Sequence, residues 1–223
     1  RVFLADDVSL FGQDHSVSGA FQSVIDGEGH VIDFMQGSVL SGTHSQLRMV
    51  QDSQFIGHDI NGGVVQDASV FGTDHSVRFL AQSHVDGHGH ALTHVSKGDI
   101  DGANHRALFS NQLQLMGHGH DLHMARAVTI MGEDQLVRFS NQADLLGQSN
   151  ALSHVWLASV SGAHNVLSQS HSVVVEGHSN QLEGARQATV VGDKNHGIKF
   201  KEFASYIKQE KICVEMSASS FPP

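Results

Sequence analysis

SVFGTDHSV at residues 69–77 repeats a phrase that the chain has already used at residues 9–17, SLFGQDHSV. The glycine of both phrases marks a period of 15 residues, and a fixed period of this kind is the mark of a stacked repeat architecture. Positions are counted below from this marker glycine, so that position +3 lies three residues after it. The marker glycines are Gly12, Gly27, Gly42, Gly57, Gly72, Gly87, Gly102, Gly117, Gly132, Gly147, Gly162, Gly177 and Gly192.

Two apolar columns accompany the glycine. Position −2 is apolar in every repeat, and position +5 is Val, Ile or Leu except at Gly62, Ala107 and Gly197. A 15-residue unit with β-type segments and no helical stripe is the length of one coil of a β-solenoid, whose coils pair as parallel strands about 4.8 Å apart. The sequence therefore predicts an all-β parallel β-solenoid, or β-roll, of about thirteen coils over residues 1–197. The glycine should stand at a corner where φ is positive or where successive backbones crowd.

Position +3 carries a polar column. Stacked polar side chains at a solenoid corner hydrogen-bond along the axis and to turn backbone, so this column is predicted to be a structural ladder. Ser45 and Ile60 interrupt it. Its members are His15, His30, His75, His90, His105, His120, Gln135, Asn150, Asn165, Asn180 and Asn195.

The alternative hypothesis is that the histidines bind a metal ion. His88 with His90, and His118 with His120, are spaced to point to one side of a strand, with His123 near the second pair. No carboxylate or cysteine partner stands at the spacing of a closed site, and the histidines follow the repeat instead of converging. No metal and no other cofactor is therefore predicted.

Apolar residues also recur at positions that should face outward. Position −1 is apolar in about half of the repeats, and position +7 includes Phe34, Phe79, Phe109 and Phe139. Outward apolar stripes on a regular solenoid need cover, which makes these phenylalanines candidates for a subunit interface. The alternative is a bend in the coil that turns the same side chains into the core.

The repeat pattern ends after Gly192. Residues 199–211 carry lysines, with Phe200, Phe203, Tyr206 and Ile207 at helical spacing, which predicts a short amphipathic helix. A helix over the last coil would cover its open sheet edge. Residues 198–223 are therefore predicted to be a C-terminal cap and tail.

The composition narrows the classes of function. The formal charge of −10 argues against a nucleic-acid backbone as partner, and no apolar run reaches the roughly 20 residues of a membrane span. A single cysteine, Cys213, excludes a disulfide framework within the chain. Asp26, Asp86 and Asp101 resemble the carboxylate cluster of a polysaccharide-cleaving solenoid, but they recur in phase without a loop that builds a cleft. No catalytic residue and no enzymatic activity is predicted.

The phrases at residues 9–12, 69–72 and 189–192 (SLFG, SVFG and TVVG), followed by His or Asn and then Val or Leu, resemble the haemagglutinin-type head repeats of trimeric autotransporter adhesins. Similar glycine-paced repeats occur in phage tail fibres. The resemblance covers about residues 8–197. It implies a left-handed β-roll, three chains side by side, and an extracellular position on a bacterial surface, where the head binds host matrix or other cells.

The expected function is a structural or adhesive repeat rod that presents a regular binding surface as an oligomer, with a trimer favoured. A protein matrix or a glycan is the expected ligand class, met through many weak contacts. The alternative is an assembly component, such as a phage tail-fibre segment or a filament subunit, whose apolar columns only hold copies together. A side chain pattern that recurs every 60 residues on the exposed surface would favour the adhesive function.

Overall fold

The computed structural model describes the backbone of residues 1–198, 202–208 and 214–215 and the side chains of residues 1–196. All regular structure in these residues is β-strand, and none of them forms a helix. Parallel strands stack at intervals of about 15 residues into a β-solenoid of about 12 turns, which confirms the predicted fold class. The chain divides into two compact units, residues 1–114 and residues 115–223.

Unit 1 contains two main strands in each coil. Its strands are β1 (Ala5–Asp6), β2 (Ser9–Gln13), β3 (Ser16–Val17), β4 (Ala20–Phe21), β5 (Val24–Glu28), β6 (Val31–Gln36), β7 (Val39–Thr43), β8 (Gln46–Gln51), β9 (Gln54–His58), β10 (Asn61–Gln66), β11 (Ser69–Thr73), β12 (Ser76–Ala81), β13 (His84–His88) and β14 (Ala91–Ala103). The next strand, β15 (Arg106–His118), includes residues of both units.

Unit 2 repeats this arrangement, with the coil divided differently in some repeats. Its strands are β16 (Asp121–Glu133), β17 (Leu136–Ser140), β18 (Gln142–Gln148), β19 (Ala151–Ser153), β20 (Leu157–Ala163), β21 (Val166–Ser168), β22 (His171–His178), β23 (Gln181–Glu183), β24 (Arg186–Gly192), β25 (His196–Ile198), β26 (Glu202–Lys208) and β27 (Val214–Glu215).

The strands pair in parallel with equivalent positions of successive repeats opposite each other. In unit 1, Gly72 of β11 lies opposite Gly57 of β9 and Gly87 of β13. In unit 2, Gly147 of β18 lies opposite Gly132 of β16 and Gly162 of β20. Because a one-residue slip would turn every side chain to the other face, this register keeps each column of the sequence on one side of the sheet.

The core is built from the two predicted apolar columns and from a third. Val70 at position −2 and Val77 at position +5 are fully buried, and so are nearly all their equivalents, which confirms both inward columns. The third column is position +8, where Met35, Val65 and Leu80 lie inside. Burial of a side chain of this size contributes about 1.5–3 kcal/mol, so each coil adds a similar increment of stability.

The predicted helix at residues 199–211 is wrong for Glu202–Lys208. These residues form β26, which pairs in parallel with β24, and residues 199–201 and 209–211 lie outside the described residues. Arg186 lies opposite Glu202 at a separation of 16 residues instead of 15, so this segment is out of phase with the glycine period. The open edge of β24 has unpaired N–H and C=O groups that a further strand satisfies, and this outweighs the helical spacing of the apolar residues.

Candidate functional site

The marker glycines form a corner at which successive backbones touch. Gly72 has a φ of 128° and Gly132 a φ of 146°, a region that residues with a side chain rarely occupy. A Cβ added to Gly132 would overlap the carbonyl oxygen of Gly117, and one added to Gly72 would overlap that of Gly57. All marker glycines have a positive φ. Within each unit, a Cβ added to any marker glycine after the first would overlap the carbonyl oxygen of the marker glycine before it. The period therefore follows from a steric requirement.

The structure places the histidines of position +3 of unit 1 in a ladder, in which His30, His75, His90 and His105 are buried and His15 is half-buried. His75 Nδ1 accepts a hydrogen bond from the backbone N–H of Ile60 at 3.1 Å, and its Nε2 lies 2.9 Å from the carbonyl oxygen of Phe71. His90 repeats the pattern, since its Nδ1 accepts from the N–H of His75 at 3.1 Å. The rings of His75 and His90 stack in parallel with centroids 4.8 Å apart, and His90 stacks on His105 at the same separation.

The hydrogen bonds determine the tautomer of these rings. A backbone N–H only donates, so Nδ1 must keep its lone pair and the proton must lie on Nε2, which donates to a carbonyl. Protonation at Nδ1 would place two donors against each other. His75 and His90 are therefore held in the neutral form.

Burial reinforces the neutral form. Burial, together with the neighbouring imidazoles of His105 and His75, lowers the pKa of His90 to about 3, although the backbone carbonyl of Asp86 acts in the opposite direction. Burial also lowers the pKa of His75, although the carbonyl of Phe71 and the carboxylates of Asp59 and Asp74 act in the opposite direction.

The flanking rungs behave in the same way. Burial lowers the pKa of His30 and of His105, with backbone carbonyl groups opposing the change in both. For His105 the carboxylates of Asp86 and Asp101 also oppose it, while His88 adds to it.

Unit 2 fills the same column mainly with amides. Asn165 Oδ1 accepts from the backbone N–H of Asn150 at 3.0 Å, and its Nδ2 donates to the carbonyl oxygen of Gly147 at 3.2 Å. Asn180 and Asn195 make the equivalent bonds, and Gln135 accepts from the N–H of His120. The shorter amide reaches the glycine carbonyl of the preceding coil, whereas the imidazole reaches a carbonyl of its own coil.

The phenylalanines of position +7 lie on the surface. Phe79, Phe109 and Phe139 are 44%, 49% and 48% exposed, so the alternative that they enlarge the core is wrong, and Phe34 is half-buried against Phe21. In unit 1, His94 stacks on Phe79 at 4.9 Å and on Phe109 at 5.1 Å, which joins three coils in one aromatic row. We call the exposed or half-buried apolar residues of this position the apolar stripe: Phe34, Met49, Val64, Phe79 and Phe109 in unit 1, and Met124 and Phe139 in unit 2.

The structure separates the residues that were weighed as metal ligands. His90 and His120 are buried in the ladder, whereas His88 and His118 are exposed. Over residues 1–196 no three His, Cys, Asp or Glu side chains form a group that could hold a metal ion.

The carboxylates that were weighed as a catalytic cluster do not converge. Asp86 lies opposite Asp101 on neighbouring coils. Asp26 lies opposite Phe11 and Ser41, and the four coils that separate it from Asp86 span about 19 Å at 4.8 Å per coil.

The residues with left-handed backbone at position +2 were not predicted from the sequence. Asp14, Asp59, Asp74, Asn104 and Asp134 adopt φ values of 52–56°. Glycine fills the same position in three repeats, and His44, Ser149, His164, Ser179 and Lys194 also have a positive φ there. Asp, Asn and Gly tolerate this conformation best, so their recurrence two residues after the marker glycine was the available signal.

A second ladder at position +11 was also missed. The N–H of Ser23 donates to Ser38 Oγ at 3.0 Å, and the N–H of Ser38 donates to Ser53 Oγ at 3.2 Å. Each serine hydroxyl then donates to a carbonyl two residues earlier in the chain. These serines satisfy buried N–H groups at the corner.

No protein-family model matches the chain, and no curated protein matches its sequence. In the part of the chain that the structure describes there is no helix that could cross a membrane.

Proposed function

We propose that the chain is a structural or adhesive solenoid that acts as an oligomer, with three copies side by side, at an extracellular bacterial surface. The expected ligands are a matrix protein or a glycan. Equally spaced coils would offer a fibrous ligand many weak contacts, so that avidity supplies the affinity.

The observation that carries the proposal is a recurring exposed pattern. Arg78 and Phe79 of unit 1 recur 60 residues later as Arg138 and Phe139 of unit 2, and all four side chains are exposed. Packing of the core does not require exposed side chains to be kept. A surface that meets a repeating ligand gives them a role, whereas a simple spacer does not.

The apolar stripe supports the oligomer. Phe79, Phe109 and Phe139 each leave about half of their surface in water, and a row of such side chains is the usual mark of an interface. Burial against a second copy returns roughly 25 cal/mol for each Å² of apolar surface removed from water. Repetition of the stripe along the coils multiplies this gain without a new contact type.

A single experiment tests the oligomer. Light scattering at neutral pH should give three times the chain mass of 24.0 kDa. The double variant F79E/F109E should lower the mass toward one chain and retain β-structure by circular dichroism. The matched control is Phe11→Glu, because Phe11 is more exposed than either residue and lies outside the stripe. A wild-type mass of one chain would contradict the proposal.

The adhesive function has a separate test. Beads coated with the wild-type oligomer should adhere to a surface covered with fibrous matrix protein or with host cells, and beads coated with the F79E/F109E variant should adhere much less. An oligomer that adheres to neither would leave the alternative, an assembly component such as a phage tail-fibre segment or a filament subunit. That alternative draws on the same stripe, which would then only hold copies together.

A further inference from the structure

We propose that a groove in unit 2, beside the single tryptophan of the chain, binds a neutral sugar. This inference rests on the adhesive function proposed above and names its ligand class. The groove has a volume of about 740 Å³ and lies across three successive coils, with Trp156, Gln169, His171, Glu183, Gly184 and Arg186 among its lining residues. Ligand sites in proteins have volumes in this range.

The groove exists because of a change at position +7. This position carries Met124 and Phe139 earlier in unit 2, and then His154, Gln169 and Gly184. Gly184 has a φ of 64° and no side chain, so one wall is missing in the last of the three coils. The apolar stripe ends at Phe139, whose ring stacks at 4.7 Å on His154 of the groove lining, so the groove begins where the stripe ends.

Trp156 provides the apolar surface. Its side chain is 58% exposed, although tryptophan buries more apolar area than any other residue when it enters a core. The indole stacks on the imidazole of His171 with centroids 4.4 Å apart and an angle of 2° between the planes.

The stacked pair is held in place by a short chain of hydrogen bonds. His171 Nδ1 lies 2.8 Å from Ser172 Oγ, and this hydroxyl donates to Gln187 Oε1 at 2.9 Å. A site that is already ordered loses less conformational entropy when a ligand binds.

The polar residues of the groove match a sugar. Gln169, Glu183 and Arg186 together offer hydrogen-bond donors and acceptors, which suits hydroxyl groups that both donate and accept. The C–H face of a pyranose ring is apolar and fits the exposed indole.

Charge selects a neutral sugar over an acidic one. Glu183 and Arg186 offset each other within the groove, and the chain carries a formal charge of −10, which repels anions at long range. A phosphate or uronate ligand would meet both the Glu183 carboxylate and this negative field.

The chain has one tryptophan, so its tryptophan fluorescence reports on this groove alone. This makes the test specific. The full chain is titrated with neutral hexasaccharides of glucose, galactose, mannose and N-acetylglucosamine, and with an acidic hexagalacturonate. We expect a saturable change in emission with at least one neutral sugar and none with the galacturonate. Glu183→Ala should weaken that binding about tenfold, as expected for loss of a hydrogen bond to a charged group.

Calorimetry with the same sugar extends the test to Trp156→Ala, which should abolish binding. Arg126→Ala is the matched control, because it removes an exposed arginine of unit 2 that does not line the groove, and it should bind like wild type. Absence of a response to every neutral sugar, equal binding of the galacturonate, or unchanged binding by Trp156→Ala would each overturn the inference. If the oligomer and its adhesion persist in that case, the proposed function stands and only the sugar site fails.

Discussion

Position +3 carries histidine in most coils of unit 1 and asparagine in most coils of unit 2, and both residues do the same structural work. Each accepts a backbone N–H from the preceding coil and donates to a backbone carbonyl. Of the two side chains, only the imidazole can take up a proton between pH 7 and pH 3, and in this range it does so in the unfolded chain. The comparison shows that one geometric role filled by two residue types gives two units with different expected responses to acid.

The sign of that response follows from the lowered pKa values. An unfolded histidine titrates near 6.5, whereas His90 in the folded chain titrates at about 3. Between these values the unfolded state holds a proton that the folded state excludes, so stability falls as the pH falls through this window. Above about pH 7 the unfolded histidine is neutral as well, so this loss disappears.

The largest expected effect comes from substitutions at the corner glycines, which both units contain. Gly72→Ala and Gly132→Ala each place a Cβ against a backbone oxygen at a positive φ, and each should lower stability by about 3 kcal/mol or more, as strain and overpacking add. Thermal melts followed by circular dichroism measure the loss. The control is Gly19→Ala, whose added Cβ would contact only the side chains of Phe21 and Leu4. A melt for either corner variant that matches Gly19→Ala would contradict the steric role of the corner.

The next largest effect concerns the ladder at position +3, where the two units differ. His90→Asn replaces a titratable rung of unit 1 with the residue that unit 2 uses. Wild-type protein should lose about 2 kcal/mol between pH 7 and pH 5 through His90 alone, and the variant should lack this part of the loss. Urea unfolding at pH 7, 6 and 5 measures it. The decisive quantity is the slope of the free energy of unfolding against pH, because any change in packing in the variant is the same at each pH. A slope equal to that of the wild type would contradict the ladder model.

The smallest effect is the reverse exchange. Asn165→His should add an acid-sensitive rung to the amide part of the ladder in unit 2, because the new imidazole would replace a fully buried side chain. We expect a smaller response than that of His90, since the neighbouring rungs Asn150 and Asn180 carry no charge. The same urea series measures the slope, with Asn165→Gln as the uncharged control of greater length. Equal slopes for the two variants would show that no proton is excluded at this position.

Much of the fold was predictable because the stacking is parallel and in register. Each column of the sequence then meets itself in the next coil, so the 15-residue period by itself determined the β-solenoid, the corner glycines and the inward columns at positions −2 and +5. The ladder residues at position +3 could be selected for the same reason.

Tertiary structure decided what depends on contacts across coils or on a break in the period. The half-exposed state of Phe79 and Phe109 depends on how the corner closes, and the strand at Glu202–Lys208 depends on the open edge of β24 across a 16-residue spacing. The groove beside Trp156 requires Gly184 two coils later, a relation that no local pattern encodes. Periodicity specifies which residues pair, but exposure and cavities arise only when the coils close in three dimensions.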